Sequence, residues 1–535
     1  MTKWDITNWT SRDDAMVEEA IRHGVSRRDL LKMLVAGGVG LAAGGSIITR
    51  ASAAVASTPK RGGSVTAAGW SASTADTLNP VMSSLSTDYV RCAALYNRLT
   101  FLDEHGKIQM ELAESIDSKD AKTWTVKLRK GVTFHSGKTL TADDVIYTLK
   151  LNKQKSAKAH SLAKQMERFK KIDDRTFQII LANPNADLPV ILSLVHFFIV
   201  QDGTTDFSKG NGTGAFVLKE FKPGVRSVMD RNPNYWKENQ PYLDSFEFIA
   251  ISDNSARVNA LLTNQIQLAG SINALSKRRL EKEKAIKLLI SNSGDYTDLI
   301  ARLDMSPGDK AGFVTGLKYL INRDVIRHAV MRDLAVVAND QPIPPNDRYY
   351  NKNLAPKPYD PDKAKHYFKK AGVLGQSIPI VASPAATSSV DMALVLQQAG
   401  DSIGMPFKVK RVPSAGYWSN YWLKGPIDFG NINPRPTPDI LFSLFYASDA
   451  PWNESHFKSE KFDKMLVQAR GMLDQNKRKE IYDEMQVMVS EHAGTVIPVW
   501  IANMDAMSTK LKGLRPNPLG GLMGYSFAEY VWLDS

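Results

Sequence analysis

Segments with a two-residue period and segments with a helical period are interleaved along the whole chain, and this interleaving most restricts the folds open to it. In Thr123–Phe134, Trp124, Val126 and Leu128 point one way while Thr125, Lys127 and Arg129 point the other, the pattern of a half-buried strand. Arg175–Leu181 repeats it through Phe177, Ile179 and Leu181. Lys60–Trp70 predicts a first strand, Gly214–Arg231 two strands around the turn Lys222-Pro223-Gly224, and Val496–Ile501 and Phe527–Leu533 two late ones. Between them, Thr141–Asp144 reads as a capping box opening a helix over Asp143–Lys150. Helices are also expected over Asn254–Asn264, over Gly316–Met331, from Asp360-Pro361 to Gly372, and as the pair Phe462–Gly471 and Arg478–Ser490. Pro342–Pro361, rich in proline and tyrosine, is expected to be irregular. The mixture argues for α/β or α+β layers. A chain of 535 residues is too long for one ordinary core, so two or more lobes are expected.

The N-terminus reads as an address. Ser26-Arg27-Arg28-Asp29-Leu30-Leu31-Lys32 precedes a glycine-rich apolar run, Met33–Ile48, and then Arg50 and Ala51-Ser52-Ala53. A basic flank, a short apolar run and a small-x-small end are the parts of an export signal. The paired arginines resemble a twin-arginine signal, which implies the twin-arginine export machinery as a partner and cleavage near Ala53. No apolar run reaches the roughly 18–20 residues that a spanning helix needs, and no lipobox cysteine stands at the cleavage site. An exported chain with no anchor points to a periplasm.

Several chemistries are excluded. The single cysteine, Cys92, rules out a disulfide scaffold, a cysteine-based zinc site and a CxxC redox centre. Gly131–Thr139 nearly matches a phosphate loop, but its glycines enclose five residues where the loop needs four. Gly210-Asn-Gly212-Thr-Gly214 precedes a strand rather than a helix, and is read as a flexible crossover. The nine histidines include no i,i+4 pair, and no GxSxG or HExxH is present. Asp143-Asp144 and Asp173-Asp174 suit capping and turn roles. No catalytic residue, metal ligand or cofactor is expected. The chain carries 68 Lys and Arg against 56 Asp and Glu. The basic run Lys150–Lys171 has only Phe169 among its cations and reads as a solvated helix, with no nucleic-acid role.

Aromatic density is more telling. Tyr417, Trp418, Tyr421 and Trp422 fall within six residues, followed by Phe442, Phe445, Tyr446 and Trp452. Such spacings suit either core packing or the walls of a ligand cleft.

The mature chain resembles the dipeptide- and oligopeptide-binding proteins of ABC importers, solute-binding family 5. The blocks carrying the resemblance begin with Ala94–Thr100, Leu112–Ser115, Trp124–Gly137 and Leu140–Val145. Gly212–Phe216 with Arg231–Trp236, Tyr359–Gly372, and Met485-Gln486 through Ile497-Pro498 complete them. The resemblance implies an α/β, two-lobed periplasmic-binding-protein-like fold of the class II, cluster C type, with an inserted domain and two crossover segments. By this mapping 1–53 is the signal, 54–94, 212–305 and 497–535 form lobe I, 95–211 is the inserted domain, and 306–496 is lobe II, with hinges near 305 and 496. Peptide binders of this family often carry Trp-x-x-Asp before an Asp-Pro, and that aspartate meets the peptide's α-amino group. In Ile432-Asn-Pro-Arg435-Pro-Thr-Pro-Asp439 the two places hold Ile432 and Arg435. Arg435 would favour a carboxylate or phosphate, or else serve a structural ion pair, and Asp439 could still meet an amine.

The resemblance implies a monomeric, non-enzymatic periplasmic receptor that captures a small peptide or peptide-like solute and delivers it to an ABC permease. An alternative keeps the scaffold and changes the ligand to an opine, a glutathione-like compound, an oligosaccharide or a metal chelate. An exported hydrolase would need a nucleophile–base pair that the sequence does not offer. Tyr417, Trp418, Trp422 and Tyr446 are the expected walls, with Arg435 and Asp439 as anchors.

Overall fold

The computed structural model describes residues 58–534 apart from positions 72, 414 and 415, together with a helix over Arg27–Ala36 and scattered positions of the first 57. The cleavage site expected at 51–53 lies outside the described residues.

A ten-stranded sheet forms the backbone of the molecule. Its strands are β1 (Ser64–Gly69), β2 (Phe216–Lys222), β3 (Arg226–Arg231), β4 (Ser245–Ala250), β5 (Leu268–Ala269), β6 (Ile286–Ala301), β7 (Ala335–Val337), β8 (Ile427–Ile432), β9 (Thr495–Val496) and β10 (Val499–Ser508). Across the sheet the order is β8-β6-β10-β5-β1-β4-β3-β2, with β7 on β10 and β9 on β6. β1 runs parallel to β4 and β5. The rest of the sheet is antiparallel, including the long pair β6 and β10. That pair carries the sheet from one core to the next. On one side lie Val65, Phe216, Phe246, Phe248 and Phe527. On the other lie Leu317, Phe368, Ile380, Leu396, Phe407 and Phe429.

A separate antiparallel sheet joins 113–117, 123–128, 176–181 and 166–171, in that order. The two-residue period places Trp124, Val126, Leu128, Phe177, Ile179 and Leu181 in its core as expected. Thr141 and Asp144 form the capping box that opens helix Ala142–Asn152. Asp360 caps helix Pro361–Lys370 by accepting from Lys363 N at 2.9 Å.

Five expectations need correction. The basic run Lys150–Lys171 is not one helix. It leaves the helix after Asn152, turns, and ends as the edge strand Met166–Lys171, paired to 176–181. Gly316–Met331 is broken: the helix Phe313–Leu320 stops before Asn322, whose side chain accepts from Val325 N and starts a new turn. Pro498 has no N–H to give a ladder, and Val496–Ile501 is split between β9 and β10. Phe527–Leu533 is a short 3₁₀ turn followed by two strand residues. The glycine crossover is a tight crossing: Gly214 N donates to Leu95 O at 2.9 Å, and the His135 ring lies 3.2 Å from both Gly210 O and Gly214 O.

Among the described residues no helix is long and apolar enough to cross a membrane, and no group of three or more His, Cys, Asp or Glu side chains could hold a metal ion.

Candidate functional site

A cavity of about 1190 Å³ lies where the large sheet, the 95–211 segment and the 433–470 segment meet. Residues on or just beyond strands of the large sheet line it. Trp70 and Ser71 follow β1, Ser271 follows β5, and Asn503 belongs to β10. In open α/β sheets ligands gather where strands end, and this is the signal that composition alone does not carry.

The aromatic wall comes from the β1 side. Tyr525 lies 6.4 Å from Trp70 and meets Tyr89 edge-on at 5.2 Å, and Tyr89 meets His196 edge-on at 5.8 Å. Tyr525 ends a run of left-handed backbone: Leu522 has φ 53°, Met523 57°, Gly524 61° and Tyr525 71°. Each non-glycine residue there costs roughly 1–2 kcal/mol. Asp505 holds the run, accepting from Leu522 N at 2.6 Å and from Ser271 N at 3.0 Å. Burial pushes the Asp505 carboxyl up to about 6, against the pull of those two amides and of Arg257.

The structure distributes the six expected residues unevenly. Arg435 and Asp439 line the cavity. Arg435 Nη1 donates to Asn433 O at 2.8 Å and Pro434 O at 3.2 Å, and its guanidinium sits 5.7 Å from the Phe445 ring. It forms no ion pair with a described residue. Burial pulls it below the ordinary arginine value, while Tyr296, Asp295 and Tyr89 push it up. Thr437 and Pro438 fix the segment by starting helix Pro438–Phe445, with Thr437 Oγ1 accepting from Ile440 N. Asp439, in its first turn, is already engaged. Arg470 Nε donates to its two oxygens at 2.9 and 3.1 Å, and Arg470 Nη2 reaches Ser443 at 2.8 Å. Burial pushes Asp439 up to about 6 although Arg470 opposes it.

The four expected aromatic walls lie elsewhere. Tyr417 is buried and its hydroxyl donates to Phe429 O at 2.7 Å while accepting from Phe429 N at 3.1 Å. Trp418 is 41% exposed and packs on Tyr417 and Trp422, away from the cavity. Trp422 Nε1 donates to Glu454 Oε1 at 2.7 Å. Tyr446 is buried against Phe442. Their clustering reflects packing, the bland alternative for such spacing. Trp70, Tyr89 and Tyr525, which sequence reasoning missed, line the cavity, and of the aromatic series noted in the sequence Trp452 joins them.

A second chamber of about 920 Å³ adjoins the first and shares Trp70, Ser271, Asp295, Asn433 and Asn503 with it. The arrangement can bind: it offers flat apolar faces, a guanidinium in no ion pair with a described residue, and hydroxyl and amide groups, and among the described lining residues no serine hydroxyl is hydrogen-bonded to a histidine ring.

Known proteins share this architecture. The model of the bacterial extracellular solute-binding proteins, family 5 Middle, matches residues 107–454. The dipeptide-binding protein of Escherichia coli K12 is 28% identical over 489 residues, covering 83% of this chain and 90% of that protein. Heme-binding protein A of Haemophilus influenzae is 25% identical over 471 residues, covering 80% and 85%. Among solved structures, the ABC transporter-associated periplasmic binding protein DppA of Helicobacter pylori, in complex with the peptide STSA, superposes with a TM-score of 0.72 at 23% identity. That superposition covers 89% of this chain and 99% of the other. The fold is therefore the mixed α/β, two-lobed binding-protein fold expected.

Proposed function

The chain belongs to family 5 of the bacterial extracellular solute-binding proteins, and from that premise we propose that it is the periplasmic substrate-binding component of an ABC importer. It captures a small peptide or peptide-like solute by hinge closure and delivers it to a membrane permease. The carrying observation is the 1190 Å³ cavity with the Arg435 guanidinium on its wall, in no ion pair with a described residue. Binding energy has two tasks, holding the solute and populating the closed state. A micromolar affinity amounts to about −8 kcal/mol, and a few kcal/mol suffices to favour one of two states strongly.

On this reading lobe I comprises 54–94, 212–305 and 497–535, the inserted domain 95–211, and lobe II 306–496. The hinges fall near 305 and 496, where β6 ends, β9 begins, and Ala301 N donates to Gly494 O at 2.8 Å. Residues 1–53 act as a twin-arginine signal cleaved near Ala53, and the mature receptor works as a monomer. Arg435 anchors an anionic group of the solute.

Arg435 itself favours a second reading, in which the solute is not a simple peptide but an anionic compound such as an opine, a glutathione-like molecule, an oligosaccharide or a metal chelate. Mass spectrometry of solute co-purified with the mature protein separates the two. Calorimetry with that solute tests the anchor. Arg435→Ala is expected to fold normally and to lose about 1.5–3 kcal/mol of affinity, roughly ten- to a hundredfold. An unchanged affinity rejects the role.

A further inference from the structure

A pair of buried acids is connected by stacked rings to the wall of the cavity. Residues opposite one another in an antiparallel ladder share a face of the sheet. β6 sets Asp298 opposite Gly430 of β8 and Ile300 opposite Asp428, and Thr495 of β9 also stands opposite Ile300. Asp298, Asp428 and Thr495 therefore lie on one face, and all three are buried. Gly430 leaves a gap on that face which Glu454 enters. A Cβ at Gly430 would collide with Glu454 Oε1 and stand 2.5 Å from Asp298 Oδ1, so the two carboxyls occupy one space.

Neither Asp298 oxygen accepts a hydrogen bond from a described donor. Glu454 accepts one, from Trp422 Nε1 at 2.7 Å. Two carboxylates this close, out of water and in no ion pair with a described residue, cannot both ionise cheaply. The groups that face them offer no substitute for a proton. Asp428 is an acid raised by burial. Tyr296, Tyr417 and Tyr446 are phenols that burial also raises, so they stay neutral. Arg302, which opposes the rise of Asp428, donates to the two Asp304 oxygens at 3.0 and 2.7 Å and to Leu423 O at 3.2 Å.

Rings connect the pair to the cavity. Trp422 lies 6.4 Å from Trp452, Trp452 lies 5.5 Å from Phe445, and Phe445 carries the Arg435 guanidinium at 5.7 Å. Trp452 and Arg435 line the cavity. The backbone makes a second link, since Trp452 and Glu454 flank Asn453. That residue is fixed by donating from Nδ2 to Phe457 O at 2.6 Å and accepting from Phe457 N at 3.0 Å.

We propose that Asp298 and Glu454 share a single proton, and that this proton holds Trp422 behind Trp452 and so sets the shape of the solute-binding wall. With the proton in place, an O–H···O bond joins the two carboxyls across the gap at Gly430. When the proton leaves to solvent, two adjacent anions remain, the pair must part, and Glu454 draws Trp422 and Trp452 with it. Burial raises both carboxyls, Asp298 to about 7 and Glu454 well above its ordinary value. The wall is therefore intact while the proton is bound and loosens as pH rises through neutral into the alkaline range. The consequence for solute affinity rests on the reading of the cavity as the solute site; the response of the wall to protons does not.

Indole N–H signals of the unliganded protein test it. Trp422→Phe and Trp452→Phe assign the two signals in ¹H–¹⁵N spectra, and the parent is titrated between about pH 6 and 9. Both signals are expected to move with one common midpoint. Asp298→Asn, whose amide replaces the shared proton as the donor to Glu454, and Glu454→Gln should each hold both signals still, whereas Asp428→Asn should keep the common titration. Motionless signals in the parent, movement of the Trp422 signal without that of Trp452, a titration that survives either substitution in the pair, or one abolished by Asp428→Asn overturns the proposal. If one of the two pair variants does not fold, the other decides. No solute enters the measurement, so its failure leaves the receptor reading standing, and failure of that reading leaves the shared proton standing.

Discussion

At the scale of single residues, the most consequential groups outside the cavity are acids that the fold has taken out of water. Asp298, Asp428 and Glu454 are all buried beside β6 and β8. Burial raises each of them; Asp298 raises Glu454 further, since two adjacent carboxylates cannot both ionise cheaply, while a hydrogen bond with Glu454 opposes the rise of Asp298. Asp428 is pushed up to about 8 by burial and by Asp298, with Arg302 opposing. In the unfolded chain an aspartate ionises near 4. Between about pH 4 and 8 the folded protein therefore keeps a proton that the unfolded chain has lost, and stability falls as pH rises through that window. Asp428→Asn removes this contribution. Relative to the parent, the variant is expected to gain up to about 1.4 kcal/mol per pH unit across the window, seen as urea midpoints that diverge between pH 5 and pH 8. Midpoints that run parallel would refute the buried proton.

At the scale of elements, Tyr417 ties the turn of helix Tyr417–Asn420 to β8 through its two bonds with Phe429. Tyr417→Phe is expected to lower stability by about 1–3 kcal/mol, because a buried amide and carbonyl lose their partner. Solute affinity should stay unchanged, since the ring does not line the cavity. A calorimetric loss of affinity without a shift in denaturant midpoint would restore the wall role that its sequence neighbourhood suggests. Elements of this kind show what the sequence makes legible. Local periods are written in the chain, so the strands through Trp124 and Phe177 and the caps at Thr141 and Asp360 are readable from it. The prolines around Arg435, and the departure from Trp-x-x-Asp, mark that residue for the same reason. The aromatic run at 417–422 misleads because a dense cluster looks alike whether it faces solute or core. Trp70, Tyr89 and Tyr525 escape notice because sites distant in sequence meet only through sheet order. The gap at Gly430 that admits Glu454 beside Asp298 depends on the register of β6 with β8, which no local pattern encodes.

At the scale of the whole molecule, the 95–211 segment touches both sides of the cavity. It follows the end of helix Ser86–Leu95, where Gly214, just past its far end, donates from N to Leu95 O at 2.9 Å, and it meets the later segment through Asp187. Arg478, from helix Gln475–His492, grips Asp187 with two 2.7 Å bonds, and both side chains are buried. Ala186 N also donates to Arg470 O at 2.8 Å. On the proposed division this pair joins the inserted domain to lobe II, so if closure moves one against the other, opening would hydrate it. Asp187→Ala strands the Arg478 charge, which costs roughly 3–5 kcal/mol. If that cost falls on the closed state, apparent affinity drops in proportion to the closed fraction. At least a tenfold loss is expected in calorimetry, although Asp187 does not line the cavity. Undiminished affinity would separate the pair from closure.

The account as a whole describes two lobes that swing together on a solute held between them. Small-angle scattering of the mature protein with and without its co-purified solute tests this most directly. A smaller radius of gyration on binding, reversed when the solute is removed, is the expected result; identical dimensions in the two states would contradict it.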